Sequence, residues 1–244
     1  KKAVAIFTLN QYVERGIMTA QQREALIEAV RAHRNILVIG GTGSGKTTLV
    51  NAIINEMVIQ DPAERVFIIE DTGEIQCAAA NHVQYHTSID VNMTALLKTT
   101  LRMRPDRILV GEVRGPEALD LLMAWNTGHE GGAATLHANN AKAGLDRLAM
   151  LISMHPDSPK PIEPLIGEAV HVVLERVEPR GGEHPGLTGV VSRNRQDAGA
   201  AVQDVADDRE FVTGAELDRA QDGYRSSSMS SRGSSSGQPC ADNR

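Results

Sequence analysis

The 244-residue chain is 41% apolar and 23% charged but only 3% aromatic, enough to bury one substantial core with little left for a second. A formal net charge of −6, from 25 Lys and Arg against 31 Asp and Glu, excludes a generally basic nucleic-acid coat, so any polyanion site has to be built locally. Cys77 and Cys240 suggest neither a disulfide framework nor a paired zinc site. No stretch approaches the ~18 apolar residues of a membrane span, and Lys1-Lys2 lead into no signal-peptide core, so the chain reads as cytoplasmic.

Thr8 with Gln11 and Thr19 with Gln22 form two capping boxes, which predict two short helices separated by Gly16. From Asn35 the pattern changes. An apolar run Ile36–Ile39 leads into a glycine-rich turn and then a helix with Leu49, Val50, Ile53, Ile54 and Met57 at helical spacing. Asp61-Pro62 ends that helix, Val66–Ile69 reads as a second strand, and a shorter extended stretch runs from about Val83 to His86. The spacing predicts a helix from about Met93 to Met103, stopped by Pro105, and a third buried strand at Ile108–Val110. Pro116 suits the first turn of a helix that buries Leu119, Leu122 and Met123 and stops at Gly128. Ala133–His137 is the next strand, and a helix bearing Leu145, Leu148, Leu151 and Ile152 follows. Short apolar strands alternating with helices predict an α/β fold with a mostly parallel sheet flanked by helices.

The chain therefore divides into a helical linker at 1–34, a nucleotide-binding domain at 35–175, and a tail at 176–244. The tail holds no Lys and no Ile, and only 9 of its 69 residues are Leu, Ile, Val or Phe; eight of the eleven residues from Ser226 to Ser236 are serine. That composition predicts disorder.

Gly40-Gly41-Thr42-Gly43-Ser44-Gly45-Lys46-Thr47 matches the phosphate-loop pattern and stands where it has to, after a buried strand and before a helix. Gly41, Thr42, Gly43, Ser44, Gly45, Lys46, Thr47 and Thr48 are the candidate nucleotide-binding residues. Backbone amides would turn toward phosphate oxygens, Lys46 would reach the β/γ-phosphates, and the Thr47 hydroxyl would ligate Mg²⁺. Glu70 and Asp71 end the second strand, Glu74 follows, and Glu112 ends the third; parallel strands deliver these acids to one sheet edge. Glu112 stands where many phosphate-loop enzymes carry a metal-binding aspartate. It suits polarisation of the attacking water, which leaves Mg²⁺ to Thr47 and, partly through water, to Glu70 and Asp71. His137 ends the fourth strand at the level of a γ-phosphate, and Arg102, Arg104, Arg107 and Arg114 supply cations for transferring phosphoryl oxygens or for a neighbouring subunit.

The segments GGTGSGKTT, FIIEDTGEIQ, LRMRPDRILVGEVRG and GHEGGAATLHANN, in this order and spacing, resemble the secretion traffic ATPases of type IV secretion, type II secretion and type IV pili, most closely the conjugal-transfer branch. The resemblance covers about Phe7 to Val173. It implies a RecA-like core, ATP and Mg²⁺ as ligands, and a ring-shaped homohexamer. It also implies inner-membrane channel proteins as partners, on whose cytoplasmic face the ring sits, with ATP hydrolysis powering assembly of a conjugative type IV secretion system or DNA-protein transfer through it. No sequence-specific nucleic-acid binding is expected. By motif, Glu70, Asp71 and Glu74 fall in the family's aspartate box, Glu112 in its Walker B position, His137 in its histidine box, and Arg102 and Arg104 on arginines near the γ-phosphate. Family members carry an N-terminal domain that is largely absent here, and the family pattern ends near His171-Val172-Val173, so the tail also reads as non-native sequence. Two alternatives stay open from sequence: a nucleotide-binding assembly module with little turnover, and a small-molecule phosphate-loop kinase.

Overall fold

The computed structural model describes residues 6–176 and 187–192. Both capping boxes are formed, each threonine hydroxyl accepting from the backbone of its glutamine while the glutamine amide oxygen accepts from the threonine N–H; they open α1 (Leu9–Glu14) and α2 (Ala20–Arg31). After these helices the chain alternates: β1 (Ile36–Gly40), α3 (Lys46–Gln60), β2 (Val66–Glu70), β3 (His82–His86), α4 (Met93–Thr100), β4 (Arg107–Val110), α5 (Glu117–Trp125), β5 (Ala133–His137), α6 (Ala141–Ser153), α7 (Glu163–Ala169), β6 (Val172–Arg176) and β7 (Leu187–Ser192).

The sheet order is β3-β2-β4-β5-β1-β6-β7; the first six strands run parallel and β7 runs antiparallel beside β6. The α/β, mostly parallel expectation holds. β1 is buried along its whole length because β5 and β6 flank it and helices cover both its faces, which is why it reads as an unbroken apolar run. Alternation along the strands splits the core in two. Ile36, Val38, Ile68 and Leu109 pack with α1, α2 and α3, whereas Leu37, Ile39, Ile69 and Val110 pack with α4, α5, α6 and α7.

Three details depart from the sequence reading. Residues 101–103 form a 3₁₀ turn after α4, and Arg104 then takes a left-handed φ of 56° before Pro105. Met123 is exposed rather than inward. Ala118, Leu121, Leu122 and Trp125 form the buried stripe of α5, and Trp125, whose indole N–H donates to the Ile108 carbonyl at 3.2 Å, fixes the rotation that turns Met123 outward. Leu187–Ser192 is a strand inside the segment expected to be disordered. Its Leu187 is buried, donates through its backbone N–H to the Ile17 carbonyl, and accepts from the Gln22 amide. Leu187, Thr188, Val190 and Val191 are compatible with a strand, and backbone pairing with β6 places them in the sheet. The rest of the tail expectation, and any reading of it as non-native, lies outside the described residues.

Candidate active site

The loop between β1 and α3 uses backbone that glycine adopts without penalty: Gly43 and Gly45 have φ of +80° and +84°. Gly45 is the N-cap of α3 and offers no capping side chain, so the first amides of that helix point out of its end, where the helix dipole concentrates positive potential. Gly40 is required by space. A Cβ there would stand 2.6 Å from the Arg176 carbonyl oxygen and 2.7 Å from Ser44 Oγ. Ser44 Oγ donates to the Gly41 carbonyl at 3.0 Å. Lys46 is buried; its Nζ donates to the carbonyls of Gly40 and Gly41 at 3.0 and 2.7 Å and lies 3.4 Å from both ring nitrogens of His137. Those neutral carbonyls solvate the ammonium beside the uncapped end of α3. All eight candidate nucleotide-binding residues, 41–48, lie in this loop or the first turn of α3.

The acids gather at the same strand edge with unequal roles. Glu112 Oε2 pairs with Arg114 Nη2 at 2.5 Å, and Oε1 stands 3.3 Å from His137 Nε2. Arg114 Nη1 reaches Asp71 Oδ2 at 3.2 Å. Asp71, Arg114, Glu112, His137 and Lys46 thus form one line of polar contacts along the carboxyl ends of β2, β4, β5 and β1. Burial, reinforced by the Lys46 charge and opposed by Glu112, lowers the pKa of His137, so its imidazole is neutral near pH 7. The hydrogen bond to Glu112 raises that of Arg114.

Glu74, expected among the catalytic acids, is the carboxylate that meets the phosphate loop: the Thr47 hydroxyl donates to its Oε2 at 3.4 Å. Glu70 and Asp71, expected at the metal, are engaged elsewhere. Glu70 is buried; its Oε1 accepts from the backbone of Glu74 and Ile75 at 3.1 and 2.9 Å, and its Oε2 accepts from the Gln84 amide at 2.6 Å. A buried strand-end carboxylate beside the donors of the following turn satisfies them first, and the effect is to hold the turn that presents Glu74. Asp71 accepts from the Thr87 hydroxyl at 2.7 Å besides its bond with Arg114.

Arg102 and Arg104 are not brought to this edge. Both are exposed in the segment just before β4, at the edge where the parallel strands begin, whereas the phosphate loop follows the end of β1. Arg107 is structural: buried, it pairs with Glu64 and donates to the carbonyls of Gly131 and Val30. A residue the sequence reading missed is Arg176 at the end of β6, whose Nε donates to the Ser44 carbonyl at 3.1 Å. Its sequence signal is weak, because the partner lies 132 residues away and the composition shift begins there. A cavity of about 290 Å³ adjoins the loop, lined by Phe7, Tyr12, Arg15, Ile17, Thr48 and Arg176 among others. A larger cavity, about 590 Å³, is lined by His33, Asp61, Glu64, Pro105, Asp106 and Glu130 and lies toward the strand-entry edge, away from the loop.

The model of the family described as type II/IV secretion system protein matches residues 4–181. The conjugal transfer protein TrbB of Rhizobium radiobacter is 50% identical over 174 residues, covering 71% of this chain and 53% of that protein. The probable conjugal transfer protein TrbB of Sinorhizobium fredii is 49% identical over 183 residues, 74% of this chain and 55% of that protein. The chain spans about half the length of these relatives. Among solved structures, the VirB11 ATPase of the Brucella suis type IV secretion system, in complex with sulphate, superposes with a TM-score of 0.64 at 30% identity over 78% of this chain and 64% of that one.

Proposed function

The chain belongs to the type II/IV secretion system protein family, with the RecA-like fold of its secretion ATPases, and from that membership we propose that it binds and hydrolyses ATP to power a conjugative type IV secretion system. The observation that carries the reading is the phosphate loop: an uncapped helix end, two left-handed glycines and a buried Lys46 whose charge is solvated by loop carbonyls. A sulphate bound by the VirB11 relative is consistent with an anion site in this fold.

The roles follow from position. The amides of residues 43–47 and the Lys46 ammonium hold the β- and γ-phosphate oxygens, and Lys46 exchanges its loop carbonyls for them. Among the described residues no three His, Cys, Asp or Glu side chains form a cage able to hold a metal alone. Thr47 and Glu74, whose side chains meet at 3.4 Å beside the loop, would hold Mg²⁺, which would supply withdrawal of charge from the phosphates. Glu112 orients and deprotonates the attacking water, and neutral His137 bridges Glu112 and Lys46, positioned to sense the γ-phosphate. Arg102 and Arg104, exposed at the opposite sheet edge, serve the site of a neighbouring subunit.

No helix among the described residues is long and apolar enough to cross a membrane. The proposed setting is a homohexameric ring on the cytoplasmic face of the inner membrane, bound peripherally to channel proteins and driving channel assembly or DNA-protein transfer. Lys46→Ala tests the reading at its base. It should abolish ATP and ADP binding and with it phosphate release; binding at parental affinity would show that the loop is not a nucleotide site.

A further inference from the structure

Arg176 lies along the outer side of the phosphate loop. It is only 4% exposed. Its Nε donates to the Ser44 carbonyl, a Cβ on Gly40 would come within 2.6 Å of its carbonyl oxygen, and a Cβ on Gly45 within 3.2 Å of its Nη2. In a planar trans peptide the carbonyl and the following N–H point in opposite directions. A guanidinium that draws the Ser44 carbonyl outward therefore turns the Gly45 N–H inward, to the side where phosphate oxygens bind. The same guanidinium stands over the ring of Tyr12 in α1, its Cζ 5.8 Å from the centroid, and Tyr12 in turn meets Phe7 edge-on at 6.3 Å. The cavity of about 290 Å³ lies between α1 and the loop, and Arg176 touches both sides of it.

We propose that Arg176 is a positioning residue that ties the orientation of the Ser44-Gly45 peptide to the seating of α1, so that displacing α1 changes the affinity of the loop for nucleotide phosphates. The proposal rests on the nucleotide-binding reading above. Any rearrangement that pulls α1 from Tyr12's place would loosen the phosphate cradle without touching Lys46, and one that seats it would tighten the cradle.

The test uses the full chain, ADP with Mg²⁺ as ligand, calorimetric titration for affinity, and amide hydrogen exchange in peptides covering 40–48 without added nucleotide. Arg176→Met should weaken ADP binding by about tenfold, the scale of one charge-assisted hydrogen bond. It should also speed exchange in 40–48 while peptides covering α5 and β5 stay protected. Arg176→Lys, which keeps the charge but not the planar fork, should recover part of the affinity. Tyr12→Leu leaves Arg176 in place and should shift both readouts the same way by a smaller factor. Arg176→Met with parental affinity and parental exchange overturns the proposal, as does faster exchange spread evenly over the whole sheet, which marks a merely structural role. If Arg176→Met does not fold, Tyr12→Leu decides, and parental affinity and exchange in that variant overturn the link to α1. Lys46→Ala, run alongside, fails independently: parental ADP binding there refutes the nucleotide reading itself, whatever Arg176 does.

Discussion

Replacing Glu112 with glutamine separates binding from chemistry more sharply than any other single change at the strand edge. The Glu112→Gln change keeps the length of the side chain and an oxygen able to accept from Arg114, while losing the negative charge proposed above to polarise water. The structural loss is modest: the Arg114 side chain is 54% exposed and that of Glu112 19%, so solvent screens the pair from one side and it contributes on the order of 1 kcal/mol. For a domain of this size that moves Tm by no more than roughly 2–4 °C. The chemical loss is larger: a positioned general base contributes on the order of 10² or more in rate, about 2.7 kcal/mol of barrier. Steady-state phosphate release should therefore fall about a hundredfold while ADP affinity and Tm stay close to parental. A second readout is the His137 titration followed by NMR. Burial and Lys46 already lower its pKa and Glu112 opposes them, so removing the Glu112 charge should lower it further. Turnover within about threefold of the parent would refute the assignment and move the catalytic role to Glu74.

Gly132→Ala should be strongly destabilising, since its Cβ would stand 2.1 Å from the Ile108 carbonyl and 2.2 Å from Trp125 Nε1; a loss of about 3 kcal/mol, or roughly 6–12 °C in Tm, is expected by scanning calorimetry. Stability should also fall on acidification below about pH 6.5, the ordinary histidine value. Burial, with Arg34, lowers the pKa of His171, and its Nδ1 accepts the Asn35 N–H at 2.9 Å, so the unfolded chain binds the proton that the native one resists. His171→Gln should flatten the fall between about pH 7.5 and 5.5 in melting curves, and an unchanged slope would acquit the residue. An Arg102→Ala, Arg104→Ala subunit mixed with a Glu112→Gln subunit, each inactive alone, should regain phosphate release near equal proportions if the arginines act across an interface; flat activity in rings shown to be mixed would return them to a single-subunit role.

Local chemistry made much of this molecule legible. Both capping boxes close between residues three apart, and the phosphate loop is contiguous, so sequence spacing carries the geometry. Burial on both faces likewise writes itself into β1, and into Ile108–Val110 of β4, as apolar runs. What sequence did not carry depends on contacts formed at a distance. Glu70 reads as a strand-end acid free for metal, but its oxygens are taken by the turn at 74–75 and by Gln84 on the neighbouring strand, a pairing visible only once β2 and β3 are in register. Met123 fits a helical spacing that the Trp125 bond to β4 rotates away from the core. The strand at Leu187–Ser192 carries Leu187, Val190 and Val191 but stands in a tail whose overall composition hides it, and it is held by backbone pairing with β6 and by the Ile17 and Gln22 contacts of its first residue.

The parallel sheet also decides which functional groups can meet in one subunit. Glu112, His137 and the phosphate loop all follow the carboxyl ends of strands, so the fold converges them. Arg102 and Arg104 precede β4, and the four residues of that strand span about 13 Å at ~3.3 Å per residue before the chain reaches Gly111 and Glu112. The left-handed turn at Arg104 and the bond from Asp106 N–H to the Arg65 carbonyl anchor this segment to the entry edge of the sheet. An arginine there cannot swing over the sheet to its own loop without unpairing β4 from β2. If these guanidiniums contact a γ-phosphate, the phosphate lies on another copy of the chain. Binding then belongs to one subunit, through Lys46 and the amides of α3, while full stabilisation of the transferring phosphoryl group belongs to an interface. On this geometry specific activity should rise with protein concentration as rings form, whereas ADP affinity should not change.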